Sequence, residues 1–194
     1  EGANLTGAKL QGANLAGANL EDAHLEDADL EGAKLEGSNL EGANLKGVNL
    51  KGAKLYKTKL ASADLSNANL SDATLNKADL RYANLTNANL AMSAISEVNL
   101  SEAKLSGANL QEAYLYQAVL LNSNLTNANL ANADFSSARL TGANLANATL
   151  TAANFADASL AGANLTVANL TTSVFSRADL TNANFVDSYF YGAT

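Results

Sequence analysis

Residues 126–170 read TNANL ANADF SSARL TGANL ANATL TAANF ADASL AGANL TVANL. Each block of five ends on a large apolar residue, and Ala sits two places before it. The place just before it is mostly Asn or Asp. Working outward from this stretch, the phase never breaks. Every position divisible by five, from Leu5 to Phe190, is Leu, Phe or Ile, with Ile95 the only Ile. The small position two before it is Ala, except at Ser38, Val48, Thr58, Ser93, Val98, Ser123, Ser173 and Ser188. All the glycines share one phase, three before the large residue, as at Gly2, Gly7, Gly107 and Gly192.

A period of five fits neither common element. On an α-helix, residues five apart are rotated by about 140°, so the leucines would spiral around the helix. On a continuous strand, side chains alternate with period two, so every second Leu would point the wrong way. The chain must therefore turn at each unit to return Leu and Ala to a common axis. Short extended segments joined by corners, with coils stacked like parallel strands, satisfy this. The glycine phase marks the corners, where special dihedrals or a close backbone approach are tolerated.

Units such as Ala13-Asn14-Leu15 and Ala128-Asn129-Leu130 resemble those of the pentapeptide-repeat family, and the resemblance covers residues 1–193. It implies an all-β fold: a right-handed, four-sided parallel β-helix with 20 residues per coil and both apolar positions facing inward. Phe135, Phe155 and Phe175 are 20 apart and would stack in one column of such a coil, while Phe185 and Phe190 fall in others. The expected architecture is one solenoid domain over 1–194, nearly ten coils and, at ~4.8 Å per coil, about 45 Å long with no loop insertions.

Composition narrows the chemistry. There is no Cys, Pro or Trp and only one His, His24. That removes thiolate chemistry, disulfides and multi-His metal sites, and no cofactor is expected. His24 alone offers no catalytic constellation, so the chain reads as a non-enzyme. No apolar run approaches the ~20 residues of a membrane span, and no signal peptide is recognisable. The compartment stays open between cytoplasm, periplasm and thylakoid lumen. The resemblance implies a cyanobacterial-like source.

Charge is uneven. The chain carries a net charge of −7. Residues 46–194 hold ten acids and ten bases, so the whole excess lies before residue 46. Glu21, Asp22, Glu26, Asp27 and Glu31 form a candidate interaction patch, with Asp29, Glu36 and Glu41 nearby and Lys34 the only base from 21 to 45. A 20-residue coil stacks Glu21 on Glu41, but sets Glu26 beside Lys46 and Glu31 beside Lys51, so partial compensation is expected. Lys46, Lys51, Lys54, Lys57 and Lys59 follow at once, with Tyr56 among them. Above an acidic coil and without Arg, they do not read as a nucleic-acid site.

Tyr114 and Tyr116 flank an inward Leu115 and should face outward, chiefly as cross-coil packing and otherwise as contact anchors. Tyr189, Phe190 and Tyr191 lie on the last coil and are a candidate end-docking cluster. A bare solenoid end must be capped or paired, so further segments or an end-to-end homodimer are expected. The function read from these features is a rigid, non-enzymatic scaffold or spacer that binds another protein. The alternative, implied by the resemblance, is a DNA-mimicking binder of DNA gyrase or topoisomerase. A mimic of ~45 Å would need on the order of 25 negative charges along its length, and the loops and dimerisation helix of gyrase-binding members are missing.

Overall fold

The computed structural model of the chain describes all 194 residues. It is one uninterrupted stack of coils with no helix. Each side of a coil is so short that a single residue, the one before the large apolar position, pairs with the coils above and below. These pairs are all parallel and join residues 20 apart, as in Asn4↔His24, His24↔Asn44 and Asn44↔Asp64. Four five-residue units therefore close one coil, as the phenylalanine spacing suggests.

Residues 85–89 show how one unit settles its backbone. The Leu85 N–H donates to the Lys104 carbonyl at 2.7 Å and the Asn87 N–H to Ser106 at 3.0 Å, both one coil on. The Asn89 N–H donates to Ala68 at 2.9 Å, one coil back. The Ala88 N–H closes a four-residue turn onto the Leu85 carbonyl at 3.0 Å. The remaining donor, Thr86 N–H, points out of the corner and is taken by Asn84 Oδ1 at 3.2 Å. Every N–H is thus paired, as a buried backbone requires. The Asn or Asp preference before the large residue has this cause: a short side-chain acceptor reaches the amide two residues on.

The third residue of each turn has φ near +60°, the left-handed value that a type II turn demands there. Inside the coil, Leu and Ala alternate as a continuous core that is fully buried from Ala23 to Leu170. Phe135, Phe155 and Phe175 stack face to face at 5.0 and 5.1 Å in one column. The polar residues in the small position are satisfied: Ser38 and Thr58 both donate to the Leu35 carbonyl, at 2.7 and 2.8 Å.

Four outer walls follow. Wall 1 carries the pairing residues His24, Asn44 and Asp64, and wall 2 Asp29, Asn49 and Asn69. Wall 3 carries Lys34, Lys54 and Thr74, and wall 4 Asn39, Lys59 and Asp79. The residue after each core position leans back over the wall just completed: Glu21 reaches Asn39 on wall 4, and Glu26 reaches Asn44 on wall 1. On wall 2 an amide ladder runs unbroken, with Asn129, Asn109, Asn89, Asn69 and Asn49 each donating to the residue below and Asp29 at its foot.

Candidate functional site

The acidic patch lies on one coil but not on one face. Glu21 sits on wall 4, Asp22 on the corner between walls 4 and 1, Glu26 on wall 1, Asp27 on the next corner and Glu31 on wall 2. The carboxylates therefore form a belt around the rod, and no three of them converge closely enough to hold a metal ion. The expected compensation by the coil above does not form. Neither Glu26 and Lys46 nor Glu31 and Lys51 make an ion pair. Instead Glu26 accepts from Asn44 Nδ2 at 2.5 Å and Thr6 Oγ1 at 3.2 Å, and Glu31 from Asn49 Nδ2 at 3.4 Å. The backward lean of the residue after Leu explains this: it brings the carboxylate to the amide 18 residues on, not to the lysine 20 residues on.

Two of these acids are tuned. The Glu26 carboxyl is held below the ordinary glutamate range, first by its own backbone amide, against slight desolvation, with Thr6 and His24 adding to the effect. Desolvation pushes the Asp29 carboxyl up, but the Glu31 amide and the Gln11 and Asn49 side chains together bring it below the usual value. His24 lies with Nδ1 3.5 Å from Glu26 Oε1, its side chain more than half exposed. The belt can present charge but has no desolvated pocket behind it: the rod surface holds no cleft.

At the far end, Tyr189 and Tyr191 both project from wall 2 and are 64% and 85% exposed, and between them Phe190, a core-column residue, is left 43% exposed. Phe190 packs on Phe185 at 5.2 Å, and Phe185 meets Phe175 edge to face at 6.3 Å. Of the three end-docking candidates, Tyr189 and Tyr191 are thus exposed, while Phe190 closes the aromatic series of the core. Tyr114 and Tyr116 face outward, as expected, Tyr114 between Ala94 and Asp134 of the neighbouring coils. They are 59% and 45% exposed and neither ring stacks on another.

Two family descriptions fit this repeat. "Pentapeptide repeats (8 copies)" matches residues 1–37, 23–61 and 53–91, and "Pentapeptide repeat region" matches residues 108–185. The chain belongs to the pentapeptide-repeat family. Among solved pentapeptide-repeat structures, it is similar to HetL, which is involved in heterocyst differentiation regulation in the cyanobacterium Nostoc sp. strain PCC 7120. The identity is 31%, covering 99% of this chain and 86% of HetL, with a TM-score of 0.53. Rfr23 from the cyanobacterium Cyanothece 51142 is 34% identical over 47% of this chain and 63% of its own, with a TM-score of 0.47. A trypsin-treated variant of QnrB1, a plasmid-mediated fluoroquinolone resistance protein, is 17% identical over 83% of this chain and 88% of its own. Its TM-score is 0.55, a likeness of pentapeptide-repeat fold alone. Among curated proteins none matches the chain.

Proposed function

We propose that this rod is a non-enzymatic scaffold that binds another protein, with the coil of residues 21–40 as one recognition element. The supporting observation is the concentration of charge. That coil carries Glu21, Asp22, Glu26, Asp27, Asp29, Glu31 and Glu36 against Lys34, and the next coil carries five lysines against Glu41. Two opposed belts about 4.8 Å apart orient a charged partner along the rod axis. A gyrase mimic would instead need carboxylates along its whole length, and beyond residue 45 acids and bases balance.

The test is capture of partners by the intact chain and by a variant with Glu21→Gln, Asp22→Asn, Glu26→Gln, Asp27→Asn and Glu31→Gln. A saturable partner lost by the variant supports the reading. A partner retained equally by both removes the belt as the recognition element, and a topoisomerase among the retained proteins restores the mimic.

A further inference from the structure

Six large apolar or aromatic side chains are exposed away from the C-terminal coils: Tyr56, Tyr82, Met92, Tyr114, Tyr116 and Val167. Four of them gather on one wall. Tyr114 is a pairing residue of wall 3, Tyr56 and Tyr116 stand two places after its pairing positions Lys54 and Tyr114, and Met92 stands on the corner that bounds it. Ala94 lies directly below Tyr114 in the same column and Asp134 directly above it, while Asp72 and Glu112 occupy the corner positions one coil below and above Met92, so the apolar stretch is bounded by carboxylates. Lower on wall 3, Lys34 and Lys54 pair one above the other, and Lys57 stands on the adjoining corner with Nζ 5.2 Å from the Tyr56 ring centroid. None of these three lysines makes an ion pair. Glu36 is the one carboxylate on this part of the wall, while Lys77 on the same corner is taken by Glu97 at 3.3 Å. Directly opposed like charges cost stability on a sheet, and exposed aromatics with Met make contact anchors.

We propose that wall 3 docks a polypeptide segment with an acidic stretch and an apolar stretch, the acids on Lys34, Lys54 and Lys57 and the apolar side chains on Met92, Tyr114 and Tyr116. Unpaired positive charge selects the first stretch and exposed rings the second. The two halves of the wall are about three coils apart, ~14 Å, which roughly four extended residues span. The proposal rests on the reading of the rod as a protein-binding scaffold, but it uses a surface other than the acidic belt.

The probe is a fluorescein-labelled synthetic peptide of four glutamates, three serines and Leu-Phe-Leu-Phe, titrated against the full chain by anisotropy at low salt. Saturable binding is expected. The Lys34→Gln/Lys54→Gln/Lys57→Gln variant and the Met92→Asn/Tyr114→Thr/Tyr116→Ser variant should each weaken it by about tenfold or more. Tyr82→Asn, away from wall 3, should leave it unchanged. The replacements Asn, Thr and Ser already occur at the same phases elsewhere in the rod, and thermal melts check that the variants fold. Absence of saturable binding overturns the proposal. So does equal binding of a single-stranded oligonucleotide with no effect of the Met92, Tyr114 and Tyr116 replacements, which would make the lysines a plain polyanion surface. Failure of the peptide removes wall 3 alone, since capture with the acidic-belt variant decides the scaffold reading separately.

Discussion

The third residue of each turn carries the strain of this fold. Thirteen turns place Gly there and twenty-six place a non-glycine at φ of +53° to +61°, the β-branched Val167 and Thr172 included. A left-handed non-glycine costs about 1–2 kcal/mol, so the stacked coils, not the local residue, dictate the turn. The glycine phase in the sequence locates the turns but conceals this, because most turns lack the residue that marks them. Space matters as well as dihedral. Gly37 and Gly42 have almost the same φ, +65° and +68°, yet a Cβ on Gly37 would meet nothing, whereas on Gly42 it would strike Asp22 Oδ1. Gly37→Ala should therefore lose about 1–2 kcal/mol, the cost of its left-handed dihedral alone, since Ala at a positive φ loses more than the stiffer unfolded chain returns. Gly42→Ala should lose measurably more. Urea melts of the two decide this, and equal losses would mean that Asp22 swings aside freely.

A single five-residue unit can be divided into an inner and an outer half with different energetic weight. Leu85 is fully buried, so Leu85→Ala should cost about 2–5 kcal/mol. Thr86 is half-buried on wall 1 and gives its hydroxyl only to Asn84 Oδ1 at 2.7 Å, so Thr86→Ala should cost no more than about 1 kcal/mol. Comparable midpoints for the two variants in a thermal melt would contradict the inward and outward assignment. That division is legible in the sequence, because period five and the Leu–Ala pair determine which residues face the axis. The lateral contacts are not. Where Glu26 or Glu31 points depends on the turn's left-handed residue, and a repeat count alone suggests lysines 20 residues away where the structure pairs amides 18 away. The wall 2 ladder was equally hidden, since an Asn preference does not tell which asparagines fall in one column.

Over the whole rod, the stack is held by bonds that pass only between neighbouring coils, and its few ion pairs are surface pairs of small weight. Arg177 holds Asp157 in a two-pronged pair at 2.6 Å, and this hydrogen bonding lowers the Asp157 carboxyl below its ordinary value of 3.8. Arg81 does the same to Asp79. A carboxyl lowered in the folded state contributes stability above its unfolded value and loses it as pH falls through the folded one. The melting temperature should therefore be level from neutral pH to about 5 and decline below about 4. Arg177→Gln should make that decline shallower, and a melt that improves on acidification would contradict the sign. The candidate patches were legible as residues but not as surfaces: the acidic five wrap three walls, whereas Tyr56, Met92, Tyr114 and Tyr116, scattered over sixty residues, share one. The coil length of 20 also constrains how such a protein can change by insertion or deletion. Adding or removing one full coil alters the rod's height and leaves every wall facing as before. A gain or loss of five residues preserves the core but swings everything beyond it by about a quarter turn, carrying its surface chemistry onto a different side.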